Sequence, residues 1–125
     1  MIRARLASAA LLSAALLAPA GAQAPAAQVI QVRSFAFAPT PIRLAAGKPV
    51  TLTFQNISGS GHDFTAKEFF DYSKITAGSA PEGEIELRGH ESKSITLIPR
   101  YGTYHAHCSH FMHSLMGMHT EIIVS

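Results

Sequence analysis

A chain of 125 residues has room for one domain of ordinary size. It carries 10 basic and 8 acidic side chains, a formal charge of +2, and without Arg3 and Arg5 eight of each sign remain. With no Lys/Arg cluster to track a phosphate backbone, nucleic acid is not an expected partner. The single cysteine, Cys108, can form no internal disulfide, although small exported domains often depend on them.

The chain opens with two arginines within Met1 to Arg5, followed by a run of Ala and Leu from Leu6 to Ala18 broken only by Ser8 and Ser13. That pattern predicts a secretory signal peptide over 1–22, cleaved near Ala22 or Ala24, with 23–27 as a linker and the mature domain over 28–125. The run is shorter than the roughly 20 apolar residues of a membrane-spanning helix. It holds no cysteine to acylate, and Arg3 and Arg5 are not adjacent. The expectation is a monomer in the periplasm with no stable membrane anchor.

Beyond the linker the periodicity becomes two. Val29, Ile30, Val32 and Phe35 read as a first strand, Ile42 and Leu44 as a second, and Val50, Leu52 and Phe54 as a third, with Pro39, Pro41 and Pro49 at strand starts and edges. The loop Asn56-Ile57-Ser58-Gly59-Ser60-Gly61 then leads to His62. Alternation is lost from Thr65 to Ser79, where Ala66 to Ile75 fits a short helix with Phe69, Phe70 and Tyr72 turned inward. It resumes over Glu84 to Arg88 and Ser92 to Ile98, around a Gly89-His90 turn, and again over Gly102 to His107 and Glu121 to Val124. About seven short strands separated by Gly/Pro turns indicate an all-β sandwich with a helical or irregular insertion around 65–80.

The chemistry concentrates near the carboxyl end, where Cys108, His113 and Met118 follow one another with four residues in each interval. Thiolate, imidazole and thioether are soft donors that select copper; two His and one Cys in a plane with a long axial Met form the blue-copper arrangement. Zinc would call for more Cys or His and has no use for Met. Cys108 ends a strand, so the following loop can wrap an ion, and His62 lies at the same end of the sandwich if strands alternate in direction. His113 is preferred to His110, which follows Cys108 too closely for the backbone to turn; Met118 is preferred to Met116. Met112 and Met116 join Phe111 and Leu115 in an apolar collar around His113, a surface suited to a redox partner or a copper donor or acceptor.

On the strand ending at Cys108, alternation turns Tyr104 and Ala106 inward and His105 and His107 outward, which makes His105 and His107 candidates for a second, weaker metal ion. His90 and His119 are expected to face solvent.

Three further stretches accompany these motifs: Phe37-x-Pro39-x-x-Ile42-x-Leu44-x-x-Gly47-x-Pro49-Val50, then Asn56 leading to His62-Asp63, then Pro99-x-x-Gly102-x-Tyr104. Together with Cys108-x4-His113-x3-Gly117-Met118 the pattern resembles the cupredoxin family of small blue-copper proteins, over all of the mature chain except about 65–83. The resemblance implies a Greek-key sandwich with one type 1 copper ion, held by His62, Cys108, His113 and Met118, that cycles between Cu(I) and Cu(II) in one-electron transfer. Asp63 stands where many relatives have Asn. The surplus of His and Met motivates an alternative, a protein that buffers or delivers copper or confers tolerance to it. No catalytic arrangement is evident, and an enzyme is not expected.

Overall fold

The computed structural model describes residues 2, 4, 7–14 and 24–125; Arg3, Arg5 and residues 15–22 of the expected signal, with the Ala22 cleavage point, lie outside the described residues. The elements in chain order are β1 (Ala26–Arg33), β2 (Ala36–Ala38), β3 (Ile42–Leu44), β4 (Val50–Asn56), β5 (His62–Thr65), α1 (Lys67–Tyr72), β6 (Lys74–Ala77), β7 (Glu84–Leu87), β8 (Ser92–Ile98), β9 (Gly102–His107) and β10 (His119–Val124). A single 3-10 turn, Pro81–Gly83, precedes β7.

Alternation decides which side of each strand is buried. In β4 the apolar Val50, Leu52 and Phe54 face inward, with the threonines between them half-covered on the outer side. The strands form two sheets, ordered β2-β1-β4-β8-β6 and β3-β10-β9-β5-β7. The chain changes sheet at each connection from β2 to β9, which gives the Greek-key sandwich the resemblance implied. Two pairings are parallel, β1 with β4 and β3 with β10. Between the sheets lies one core in which Phe64 packs at 4.6 Å from Phe54, 5.3 Å from Phe37 and 6.2 Å from Phe70 between ring centroids.

Three local features differ from the sequence reading. First, β1 begins at Ala26, inside the stretch taken as linker, because backbone pairing with β4 runs unbroken from Ala26 opposite Val50 to Val32 opposite Asn56. Second, the insertion contains a helix shorter than expected, and only Phe69 and Phe70 are buried; Tyr72 is half-exposed, its ring 5.4 Å from the Arg100 guanidinium carbon. At about 100° per residue Tyr72 points some 160° away from Phe70, so a six-residue helix cannot bury both on one face. Third, β6 had no signature, since all four of its residues are exposed; it is an edge strand held to β8 by backbone pairing with a bulge between Ile75 and Ala77.

The core contribution is testable by contrast. Phe64→Ala should lower the unfolding free energy by about 3–5 kcal/mol, whereas Tyr101→Ala, at an exposed site, should stay within about 0.5 kcal/mol. A denaturant titration of each variant measures both.

Candidate metal centre

Strand register brings the chemistry to one end of the second sheet. In that sheet β5 lies between β9 and β7, with Thr65 opposite His107 on one side and His62 opposite Leu87 on the other. His62, first residue of β5, faces inward in line with Phe64. Cys108 follows the last residue of β9, and its N–H donates to the Met118 carbonyl at 3.0 Å, closing the loop that carries His113. The loop is stitched by its own backbone: His113 N–H donates to His110 O at 3.1 Å and Met118 N–H to His113 O at 3.0 Å. Gly117 lies at φ +95°, a region other residues rarely adopt, so glycine lets the loop turn into Met118 and β10.

Three of the four expected donors converge. The Cys108 Sγ is 3.4 Å from Nδ1 of His113 and 4.0 Å from Nδ1 of His62, and the two Nδ1 atoms are 3.2 Å apart. Metal–nitrogen and metal–sulfur bonds of about 2.0–2.3 Å in a trigonal plane put donors about 3.5–3.8 Å apart. The observed spacings bracket that range, so a trigonal soft ion fits between the side chains as they stand. Cys108 and His62 are buried, and His113 is partly exposed. The fourth residue, Met118, is fully buried in the core opposite Cys108 across the hairpin, while Met112 and Met116 are exposed.

Burial and neighbouring groups set the protonation of the donors. Burial pushes the Cys108 thiol above its usual pKa, while backbone N–H groups of Asp63 and His110 act the other way. Burial, then the neighbouring imidazoles of His113 and His110, lower the pKa of His62. A buried neutral imidazole keeps a lone pair free, and a nearby cation would favour the thiolate.

Several residues hold the site, and of these Ser34 carried no sequence signal. Ser34, beyond the end of β1, places its Oγ 2.9 Å from Nε2 of His62, and with Nε2 protonated the ring presents Nδ1 to Cys108. Phe35 packs edge-on against His113 at 5.0 Å and His62 at 6.2 Å between centroids. Asp63 points to the outer side of the sheet, where its carboxylate accepts from Ser109 N–H at 2.8 Å, from Thr65 Oγ1 at 2.8 Å, and from the Ser109 hydroxyl; its own N–H donates to Cys108 Sγ at 3.5 Å. It thereby joins the strand carrying His62 to the loop carrying Cys108. Buried Asn56 does the same for the preceding loop: its Nδ2 donates to Ser60 O at 2.7 Å and Arg88 O at 2.9 Å, and its Oδ1 accepts from Ser58 N–H at 3.0 Å and Ser58 Oγ at 2.8 Å.

His110 does not join the convergence. Its Nε2 lies 2.9 Å from Glu86 and its ring stacks on His113 at 5.4 Å. His105, His107, His119 and His90 are exposed, and His107 lies directly opposite His119 across the β9/β10 pair. Phe111, Met112, Leu115 and Met116 are 89%, 49%, 81% and 54% exposed and lie in the loop that carries His113.

A sequence profile of the cupredoxin-like domain matches residues 6–124, nearly the whole chain, and the chain belongs to that family. Among solved structures it is similar to auracyanin B, with 24% identity over 83% of this chain and 92% of that one at a TM-score of 0.57. It is similar too to auracyanin A, a "blue" copper protein from Chloroflexus aurantiacus, with 20% identity over 82% and 100% of the two chains at 0.60. Dithionite-reduced auracyanin from Roseiflexus castenholzii aligns at 20% identity over 82% and 99%, also at 0.60. At these identities the likeness speaks for the fold. No curated protein matches the sequence.

The tether at Asn56 yields a prediction. Asn56→Asp keeps the acceptor toward Ser58 but faces two carbonyls with no donor, and at about 1–3 kcal/mol per unpaired buried group it should destabilise the fold by at least about 2 kcal/mol. Urea unfolding with an unchanged m-value would register this.

Proposed function

We propose that the chain is an exported type 1 copper protein that carries single electrons, with His62, Cys108 and His113 in the trigonal plane and Met118 as the axial donor. The observation that carries this reading is the approach of one buried thiol and two imidazole Nδ1 atoms to within 4.0 Å of one another. Such a donor set suits copper and one-electron exchange, which is a carrier's role. Copper supplies a one-electron couple when bound; the protein's share is to hold the donors still. The sandwich does so through the Asn56 and Asp63 tethers and through Ser34, which fixes the His62 ring.

Met118 is favoured over Met116 as the axial donor because it is the buried one, paired with Cys108 across the hairpin. Export rests on the signal pattern of 1–22, with removal near Ala22 or Ala24 leaving a monomeric periplasmic domain; among the described residues no helix is long and apolar enough to cross a membrane. The exposed side chains of Phe111, Met112, Leu115 and Met116 form the face through which a redox partner would reach His113, the partly exposed donor. A second reading, copper buffering or delivery, draws on the exposed His105, His107 and His119, which offer a further, weaker ion a place on the outer face of β9 and β10.

The protein loaded with one equivalent of Cu(II) should show intense visible absorption from sulfur-to-copper charge transfer, and Cys108→Ser should abolish it; colour retained in that variant would refute the assignment. Ser34→Ala, which removes the hydroxyl from His62 Nε2, should weaken copper affinity by about 10–100-fold. A carrier should keep its colour for hours against a tenfold excess of chelator, whereas rapid bleaching would favour delivery.

A further inference from the structure

A second cluster of donors lies behind the first, on the outer side of the same sheet. Asp63 on β5 is directly opposite Glu86 on β7, so two carboxylates face each other across a strand pair, with Glu84 two residues along on the same side. Like charges so placed repel. Asp63 cannot escape into water, because it is fully buried beneath the turn that follows Cys108. That turn lays His110 over the pair, its Nε2 2.9 Å from Glu86 Oε1 and 3.7 Å from Asp63 Oδ2. One donor atom from each of Asp63, Glu86 and His110 lies within 4.8 Å of the other two.

We propose that Asp63, Glu86 and His110 form a second cation site, taking one Zn2+ or a comparable borderline divalent ion through two carboxylate oxygens and one imidazole nitrogen, with water completing the shell. Zinc bound to nitrogen and oxygen at about 2.0–2.2 Å sets neighbouring donors of a tetrahedron about 3.3 Å apart, between the two spacings observed. Imidazole and carboxylate together suit a borderline ion and lack the sulfur that draws copper to Cys108, so the chemistry of the two clusters differs. Beside the cluster, burial first and then the neighbouring Asp63 and Glu86 carboxylates raise the pKa of Glu84, with His110 acting the other way. An ion here would neutralise the facing carboxylates, fasten the Cys108 loop to β5 and β7, and hold His110 against His113.

The site does not depend on what the Cys108 centre holds, and the two can be read separately: visible absorption reports the first and calorimetry the second. With the first centre filled by copper, titration with zinc chloride should show one further equivalent bound. Glu86→Gln, which keeps the shape and a hydrogen-bonding group at a half-exposed position, should weaken that equivalent at least about tenfold while leaving the visible spectrum intact. His105→Ala/His107→Ala should bind zinc at this site as the parent does. Absence of a second equivalent, or zinc affinity in Glu86→Gln within twofold of the parent, would overturn the proposal. Zinc uptake that bleaches the parent's colour, with no equivalent bound beyond the displaced copper, would likewise overturn the proposal.

Discussion

The structure turns on the burial of one sulfur between two imidazole nitrogens. Cys108 Sγ lies 3.4 Å and 4.0 Å from the ring nitrogens of His113 and His62, with the sulfur and His62 buried and His113 partly exposed. Burial of this kind pushes the thiol and the imidazole toward their neutral forms. A positive ion reverses the balance, because its charge favours the thiolate and takes the lone pair the neutral imidazole keeps. The donor set is therefore one whose protonation a bound cation would change.

Holding the donors in place is a task shared by residues from distant parts of the chain. Ser34 and Phe35 come from the β1–β2 connection, Asn56 anchors the loop ahead of His62, and Asp63 bonds the backbone after Cys108. At position 63 a carboxylate accepts three hydrogen bonds, two of them from Ser109. The same carboxylate lies opposite Glu86 across the β5/β7 pair. Structural support and a second cluster of donors thus arise from one side chain.

The main lines of this were legible in the residues. Alternation in β4, β8 and β9 is a local signal that survives because side-chain direction on a strand has period two, and the spacing of Cys108, His113 and Met118 survives because one backbone-bonded loop carries all three. The outward turn of His105 and His107 and the inward turn of Tyr104 followed from the same rule. What could not be read was whatever depends on two distant segments meeting. Ser34 has no mark that it will lie beside His62, 28 positions away. Glu86 looks like any solvent-facing residue of an edge strand until β5 pairs with β7 and brings it opposite Asp63. The β6 strand escaped for another reason: its side chains are all exposed, so backbone pairing alone defines it.

Copper K-edge X-ray absorption on the singly loaded protein tests the central claim most directly, because it counts the atoms bonded to the ion. One sulfur scatterer at short distance with two imidazole nitrogens is the predicted first shell. A shell of nitrogen and oxygen alone would contradict the account, since the buried sulfur on which the rest of the structure turns would then be a bystander.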